Sequence, residues 1–291
     1  MFQGSIPALI TPFRNNAVDF DAFEKLVERQ IEAGSGAVVP CGTTGESATL
    51  SHEEHRKVVE RCVEIVNGRV PVIAGCGSNS TAEAIGLVQH AKKVGADAAL
   101  TVCPYYNKPD QRGLAAHFSA IADAVQMPLV LYNVPGRTIS DIQPETVAAL
   151  SSNPNIVGIK DATGDLARVT KHADTCEDGF VLLSGDDPTA LGFYAMGGQG
   201  CISVSANVAP KLMADLHAAC LRGDFAAARE FEAKAYRLHR ALFLSPSPGP
   251  TKYALSRLGL CEPEIRLPLL PPNDDVKKEI DAALKVAGLL D

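Results

Sequence analysis

The chain has 291 residues, of which 46% are hydrophobic and 21% are charged, a composition typical of one large globular domain or one domain plus an extension. The formal net charge of −7 argues against nucleic acid or an anionic membrane as a partner. No apolar stretch is long enough to cross a bilayer, and the N-terminus has neither a basic region nor a cleavage site, so we expect a cytosolic protein.

Short apolar runs alternate with helix-length amphipathic segments from the N-terminus onward. The predicted strands are residues 6–10, 37–40, 70–75, 98–102, 129–132, 156–160, 180–184 and 200–204. Helical patterns between them include residues 20–33, 53–66, 82–94, 113–125 and 166–173. Eight strand–helix units in roughly 220 residues predict an α/β fold of the (β/α)8 TIM-barrel type. A doubly wound open sheet is disfavoured, because no G-x-G-x-x-G follows the first strand.

The C-terminal part of the chain lacks strand patterns. Helical patterns cover residues 224–244, 252–258 and 275–287, and a proline-rich break at 245–250 separates the first two. We therefore expect a catalytic barrel over residues 1–223 and a C-terminal helical domain over residues 224–291. This part is too apolar to be a disordered tail.

Lys160 ends the apolar run 156–159, and the polar stretch 161–164 follows at once. The run is typical of a strand buried on both faces. Burial disfavours the charged ammonium form, and a neutral lysine amine can condense with a ketone to give an imine. The alternative is a lysine that snorkels out of the barrel rim or pairs with Asp161. Lys160 alone does not decide between these interpretations.

The carboxyl ends of the other strands carry further candidates, since barrel enzymes place their chemistry there. After the second strand, Thr43 and Thr44 stand between Gly42 and Gly45. Such a loop lets hydroxyls and backbone N–H groups converge on a carboxylate or phosphate. It could equally be an ordinary tight turn that caps the next helix.

The fifth predicted strand ends in Tyr132, and Arg137 lies in the loop beyond it. A phenol at this position can relay protons to an imine or carbinolamine, although an aromatic plug with its hydroxyl in water is the alternative. A guanidinium binds a carboxylate through two parallel hydrogen bonds, and the alternative for Arg137 is a surface salt bridge.

A metal centre is not expected. All seven histidines fall in helical patterns and none ends a strand, whereas a zinc aldolase needs two or three at the barrel mouth. His52 and His55 are three residues apart, but Ser51 and Glu54 predict a capping box at a helix start. The eight cysteines form no C-x-x-C pair, and several lie in apolar runs, which favours small buried thiols over disulfides.

Three separated motifs carry a resemblance to a known family. They are Gly-Thr-Thr-Gly-Glu-Ser at 42–47, Tyr-Asn-Val-Pro at 132–135 and Gly-Ile-Lys at 158–160. Together they resemble the pyruvate-dependent class I aldolase family, which includes dihydrodipicolinate synthase and N-acetylneuraminate lyase. The likeness runs along the whole chain. Residues 137–138 and 105–107 bring it nearest to the dihydrodipicolinate synthases.

The resemblance implies a lyase that condenses pyruvate with L-aspartate 4-semialdehyde to 4-hydroxy-tetrahydrodipicolinate, the committed step of diaminopimelate and lysine biosynthesis. It implies no cofactor. Lys160 would form the imine with pyruvate. Tyr132 and Thr43, with Tyr106 reaching in from a neighbouring subunit of a homotetramer, would relay protons.

The resemblance also implies the residues that bind the two substrates. Thr44 and its loop would hold the pyruvate carboxylate, with Ile202 and Gly185 lining the site. Arg137 would receive the carboxylate of aspartate semialdehyde.

The resemblance also implies a regulatory site for L-lysine as an inhibitor, formed by a set of matching residues: Ser47, Ala48, His52, His55, Asn79, Glu83 and Tyr105. A free amino acid needs an acceptor for its ammonium and donors for its carboxylate, and this set offers both. The alternative is structural, since Ser80 and Glu83 have capping-box spacing and His52 and His55 could form a solvated helix face.

Two other functions remain open at this point. A sister aldolase that acts on a sugar acid, such as N-acetylneuraminate or a 2-keto-3-deoxy acid, would share Lys160, Tyr132 and the threonine loop. Arg137 favours a short dicarboxylic partner instead. A ligand-binding protein on a retired barrel would be expected to have lost Lys160 or Tyr132, and neither is lost. The fold alone would not choose among these functions.

Overall fold

The computed structural model describes residues 2–291. The strands are β1 (Gly4–Pro7), β2 (Phe13–Arg14), β3 (Ala17–Val18), β4 (Ile73–Gly75), β5 (Ala98–Val102), β6 (Leu129–Asn133), β7 (Ile156–Asp161), β8 (Val181–Ser184) and β9 (Gly200–Ser203). The helices of the same part of the chain are α1 (Phe20–Ala33), α2 (His52–Val66), α3 (Thr81–Val94), α4 (Gln111–Val125), α5 (Pro135–Thr138), α6 (Pro144–Ser151), α7 (Ala167–Thr175), α8 (Ala190–Ala195) and α9 (Pro210–Leu221). Strands β2 and β3 form a small antiparallel hairpin of their own.

The main sheet is parallel and closes into a barrel. Seven strands are hydrogen-bonded in the order β1-β9-β8-β7-β6-β5-β4. The segment 37–40 joins the two edges: the Val39 amide donates to the Pro7 carbonyl at 3.0 Å, and the Ile73 amide donates to the Val38 carbonyl at 2.9 Å. The predicted (β/α)8 fold is confirmed, and closure leaves no exposed sheet edge.

The second predicted strand, 37–40, is nevertheless only two isolated bridges, Ala8–Val39 and Val38–Val72. Two prolines lie at this segment: Pro40 is its last residue, and Pro71 precedes Val72, the bridge partner of Val38. A proline has no N–H to donate to the ladder, so the regular strand is cut short here.

Two apolar layers hold the barrel together. Side chains inside it include Ile6, Ile73, Leu100, Val130 and Leu183, all nearly fully buried. A larger cluster fills the space between the strands and the surrounding helices. This alternation of inward and outward side chains fixes which strand residues reach the barrel mouth.

Three further helices follow the barrel: α10 (Phe225–Ala241), α11 (Gly249–Arg257) and α12 (Asp274–Val286). They share a third apolar cluster with barrel residues, in which Leu238, Leu255 and Ile280 are buried with Ile10 and Leu26. The predicted C-terminal helices are therefore present and pack on the barrel. The division into two domains at residue 223 stays a prediction.

Within residues 2–291, no helix combines the length and apolar character needed to cross a membrane. The eight cysteines are all unpaired, and six of them are buried. Burial raises the pKa of the Cys62 and Cys76 thiols far above the ordinary value, so these thiols stay protonated. The cytosolic location stays a prediction.

Candidate active site

Lys160 lies near the carboxyl end of β7, inside the barrel mouth. Its neighbours in register are Tyr132 on β6 and Leu183 on β8. The lysine is 6% exposed, and its Nζ lies 4.1 Å from the centroid of the Tyr132 ring. The lysine side chain therefore lies almost entirely within the protein and does not snorkel out of the barrel rim.

Asp161, which the sequence offered as an ion-pair partner for Lys160, instead contacts Thr163 and His172. Its Oδ1 accepts hydrogen bonds from the Thr163 amide at 2.8 Å and from the Thr163 hydroxyl at 2.5 Å, and its Oδ2 lies 3.8 Å from His172 Nε2. Burial raises the pKa of the Asp161 carboxyl, but the nearby His172 ring and the hydrogen bonds from Thr163 outweigh burial and hold this pKa below its usual value. Lys160 is thus left without a carboxylate partner from its own strand.

Gly185, which follows β8, makes room for Lys160. A Cβ atom at this position would lie 2.8 Å from Lys160 Cε and 2.7 Å from Ala162 Cβ. Real Cβ atoms essentially never approach other atoms so closely. The Gly185 amide donates to the Asp161 carbonyl at 2.7 Å, which fixes the glycine against the lysine strand. The absent side chain is what lets Lys160 occupy its position.

The loop that carries Thr43 and Thr44 is a pair of consecutive turns. The Gly45 amide donates to the Gly42 carbonyl at 3.0 Å, and the Glu46 amide donates to the Thr43 carbonyl at 3.1 Å. Among residues 2–291, the Thr43 and Thr44 amides donate to no backbone carbonyl, so two N–H groups remain for a ligand.

The loop does not cap the helix that follows it. Helix α2 is capped by Ser51, whose hydroxyl accepts from the Glu54 amide, and the Glu54 carboxylate accepts from the Ser51 amide in return. The predicted capping box is confirmed. The turn interpretation of the threonine loop is correct, but the turn does not serve as a helix cap.

A cavity of about 420 Å³ opens between the threonine loop, α2, α3 and α5. It brings together two predicted sets of residues. Its lining includes Thr43, Arg137, Ser47, Ala48, His52, His55, Glu83 and Tyr105. Asn79 lies beside it, since its Nδ2 donates to the Tyr105 carbonyl at 3.2 Å. A larger cleft of about 750 Å³ between the β2–β3 hairpin and α11 contains none of the predicted site residues.

Arg137 is exposed on α5 and lines this cavity. Among the residues that the structure describes, no carboxylate lies within 4 Å of its guanidinium. The predicted alternative, a surface salt bridge within the chain, is therefore wrong. An unpaired guanidinium at the cavity wall is suited to a carboxylate ligand.

His52 and Glu83 are already paired in this cavity. His52 Nε2 lies 2.7 Å from Glu83 Oε1, and the Ser78 hydroxyl donates to the other carboxylate oxygen. These bonds, the one from Ser78 first, hold the pKa of Glu83 below its usual value. The Ser80 side chain caps α3 through the Glu83 amide at 3.5 Å. Ser80 therefore caps α3, but the predicted capping box is not complete, because the Glu83 carboxylate binds His52 and Ser78 and not the Ser80 amide.

His55 is 6% exposed, so it is not part of a solvated helix face. Its Nε2 lies 2.9 Å from the Gly75 carbonyl, which requires that this nitrogen carry the proton. Burial lowers the pKa of His55 to about 4, so the ring is neutral at pH 7. Within residues 2–291, Nδ1 has no hydrogen-bond partner and remains an acceptor.

Tyr106 does not reach the site of its own chain. It is 96% exposed, and its backbone has a left-handed φ of 69°. The loop around it is ordered, since Asn107 Nδ2 donates to the Asn79 carbonyl at 2.8 Å. With this exposure the Tyr106 ring makes almost no contact with its own chain.

Of the remaining predicted residues, Ile202 lies on β9 opposite Ile6 and is 1% exposed, and Thr44 is 5% exposed. The cavity also contains apolar residues that were not predicted from the sequence, such as Val102 and Val134. Both stand at strand ends, which is the signal that could have identified them. No group of three His, Cys, Asp or Glu side chains within residues 2–291 is placed to hold a metal ion.

Comparison with known proteins supplies the family. Residues 1–287 match the model of the dihydrodipicolinate synthetase family. The 4-hydroxy-tetrahydrodipicolinate synthase of Hyphomonas neptunium is 65% identical over 99% of both chains. The crystal structure of the chloride-inhibited dihydrodipicolinate synthase from Acinetobacter baumannii, complexed with pyruvate, is 47% identical with a TM-score of 0.97 over all of both chains. The enzyme from Cyanidioschyzon merolae with lysine bound is 38% identical with a TM-score of 0.95 over 99% of both chains.

The fold, the strand-end site and these relatives define the chain as a TIM-barrel lyase. It belongs to the dihydrodipicolinate synthetase family, which confirms the predicted resemblance. The relatives favour neither a sugar-acid aldolase nor a binding protein on a retired barrel.

Proposed function

We propose that this chain condenses pyruvate with L-aspartate 4-semialdehyde to 4-hydroxy-tetrahydrodipicolinate, the committed step of diaminopimelate and lysine biosynthesis. The observation that carries the proposal is Lys160, a buried amine at a barrel strand end in a chain 65% identical to a 4-hydroxy-tetrahydrodipicolinate synthase. The pyruvate complex of the Acinetobacter baumannii relative supports the first substrate.

The chemistry begins with the Lys160 amine adding to the ketone of pyruvate. Loss of one water from the carbinolamine gives an imine, which makes the methyl protons of pyruvate acidic. The enamine formed by losing one of them attacks the aldehyde carbon of the second substrate and makes the new C–C bond. The amino group of that substrate then replaces Lys160 at the imine carbon, which closes the ring and frees the enzyme.

Each of these steps moves a proton, and hydroxyl groups at the barrel mouth supply a relay. Tyr132 is adjacent to Lys160, and Thr43 lines the cavity that also contains Arg137. Tyr106 completes the relay from a second copy of the chain in a homotetramer. Its 96% exposure and outward, left-handed conformation support this arrangement, because a partner would cover the ring and receive its hydroxyl.

The two carboxylates bind at different places. The pyruvate carboxylate meets the Thr43 and Thr44 amides and the Thr44 hydroxyl, with Ile202 lining the floor of the site. Gly185 leaves the space in which Lys160 meets the ketone. Arg137 takes the carboxylate of aspartate semialdehyde, since it has no partner within the described chain.

The same cavity can receive L-lysine as an inhibitor. The Glu83 carboxylate is an acceptor for an ammonium group, while the other predicted members, Ser47, Ala48, His52, His55, Asn79 and Tyr105, lie at or beside the wall. The relative from Cyanidioschyzon merolae binds lysine, which supports the proposal. Because His52 already holds Glu83, an incoming ammonium must share or replace that contact.

Titration with L-lysine at saturating pyruvate tests the regulatory site. We expect inhibition that weakens at least about tenfold in Glu83→Ala, a scale typical of allosteric coupling. Glu60→Ala, which removes a half-buried glutamate of α2 outside the cavity, is the matched control and should be inhibited like the parent. Equal inhibition of parent and Glu83→Ala would mean that the Glu83 carboxylate only pairs with His52 and Ser78.

The catalytic proposal is tested by a coupled assay that follows product formation from pyruvate and aspartate semialdehyde. We expect turnover with this pair and none when either substrate is omitted. Turnover with pyruvate and a sugar aldehyde, but not with aspartate semialdehyde, would replace the proposal by the sugar-acid alternative.

A further inference from the structure

A buried ion pair lies directly behind the Thr43–Thr44 loop. It joins the Lys252 ammonium, on α11 of the C-terminal region, to the Glu46 carboxylate, two residues after Thr44. Lys252 is fully buried and Glu46 is 4% exposed. Lys252 Nζ also donates to the Glu264 carbonyl at 2.9 Å. Two opposite charges withdrawn from water in this way must be held by their surroundings.

Other groups complete the surroundings of the pair. Lys252 Nζ lies 3.9 Å from the centroid of the Phe13 ring, and Arg266 Cζ lies 4.2 Å from it. The Arg266 amide donates to Glu46 Oε2 at 3.2 Å, and its guanidinium donates to the Thr49 carbonyl at 3.0 Å. The C-terminal region therefore binds the segment after the Thr43–Thr44 loop at both Glu46 and Thr49.

These contacts hold Glu46, whose backbone is strained. Glu46 has a left-handed φ of 55°, a conformation that a non-glycine residue adopts only when its surroundings impose it. The Glu46 amide closes the turn onto the Thr43 carbonyl at 3.1 Å. A release of the Glu46 side chain would let this turn relax, and the Thr43 and Thr44 amides would move with it.

Stability alone is a weak reason for such a pair. A buried ion pair is often no more stabilising than well-packed apolar side chains of the same volume, because desolvation offsets the attraction. An apolar pair could not bind a carboxylate, and it is through the Glu46 carboxylate that the left-handed turn beside the Thr43–Thr44 loop is held. We propose that the Lys252–Glu46 ion pair is a positioning device that orients the Thr43–Thr44 loop toward the pyruvate carboxylate, an inference that rests on the proposed function.

The test uses full-length Glu46→Gln, the double variant Glu46→Gln with Lys252→Met, and Leu255→Ala. The double variant leaves no unpaired buried charge, so it is expected to fold. Leu255→Ala removes a fully buried side chain of the same helix α11 and lowers stability without touching the pair. Kinetics are measured with each substrate varied in turn, and thermal unfolding is recorded for all three variants.

We expect KM for pyruvate to rise about tenfold in both Glu46 variants, equivalent to about 1.4 kcal/mol of lost binding. Their kcat/KM for aspartate semialdehyde should change less than about twofold, because that substrate meets the enzyme after pyruvate is bound. Leu255→Ala should lower the melting temperature and leave both KM values unchanged. This separation of the two substrates is what a merely structural pair would not produce.

Three outcomes overturn the inference: a parent-like KM for pyruvate in the double variant, an equal rise in Leu255→Ala, or a double variant that does not fold. The parent enzyme separates this failure from failure of the proposed function. If the parent forms product and traps pyruvate on Lys160 while the Glu46 variants behave like it, only the positioning role falls. If the parent does neither, the proposed function falls and the inference falls with it.

Discussion

Replacing Gly185 by alanine tests how narrowly the site places its lysine. The glycine has an ordinary backbone conformation, since no left-handed φ is found there, so alanine adds a methyl group without backbone strain. That methyl group would stand 2.8 Å from Lys160 Cε, whereas ordinary contacts begin at 3.4 Å. Lys160 Cε must therefore move by about 0.6 Å or more, and Ala162 must yield as well.

The size of the effect follows from that displacement. Misplacing a reacting group by about 1 Å can cost about a hundredfold in rate, so we expect kcat/KM for pyruvate to fall by about ten- to a hundredfold in Gly185→Ala. Steady-state kinetics and the rate of borohydride trapping with pyruvate both measure it. Gly86→Ala is the control, because a Cβ at that position on α3 meets nothing within 4 Å. Parent-like kinetics in Gly185→Ala would refute the claim that the glycine sets the position of the amine.

Three further predictions address the relay, the second substrate and acid stability. Tyr132→Phe and Thr43→Val should each lower kcat strongly, and the double variant should be little worse than the worse single, as measured by a double-mutant cycle; fully multiplicative losses would argue against a relay. Arg137→Ala should raise KM for aspartate semialdehyde far more than for pyruvate, and an equal rise for both would contradict its assignment. The hydrogen bond from Arg266 lowers the pKa of Glu54 from 4.5 to about 2. The ionised carboxylate therefore stabilises the fold above pH 4.5, by at most about 3 kcal/mol before solvent screening. This contribution is lost as the pH falls toward 2. Urea unfolding at pH 7 and pH 3 should show a smaller pH dependence in Arg266→Met, and an unchanged dependence would contradict the assignment.

The barrel could be predicted from sequence because its signal is repeated. Each strand is a short apolar run followed by a helix-length amphipathic segment, and that alternation survives errors of a few residues at any one boundary. The prediction of one strand, 37–40, was only partly correct. The prolines at 40 and 71 remove hydrogen-bond donors from the ladder without changing the apolar pattern.

The central residues of the site could also be predicted from the sequence. Lys160 and Tyr132 stand at strand ends, and the structure brings them into contact as strand neighbours. The space that Gly185 leaves for Lys160 could not be read in the same way, since it depends on the distance between two neighbouring strands. The Lys252–Glu46 pair was missed because its members are far apart in sequence and each looks like an ordinary surface charge.

The role proposed for Tyr106 requires a second copy of the chain. Its exposure and left-handed backbone are visible in a single chain, but the group that its hydroxyl meets is not. A sequence motif can mark such a residue and cannot reveal its partner. Sedimentation of the parent and of Tyr106→Ala would show whether this ring also helps to hold the subunits together.

The central claim is that Lys160 forms a covalent imine with pyruvate, and borohydride trapping tests it most directly. The enzyme is incubated with pyruvate, reduced with sodium borohydride, digested and analysed by mass spectrometry. We expect the reduced pyruvate adduct on the peptide that contains Lys160, none without pyruvate, and none in a Lys160→Ala variant whose circular dichroism spectrum matches the parent. An adduct on another lysine, or no adduct in an active preparation, would contradict the account.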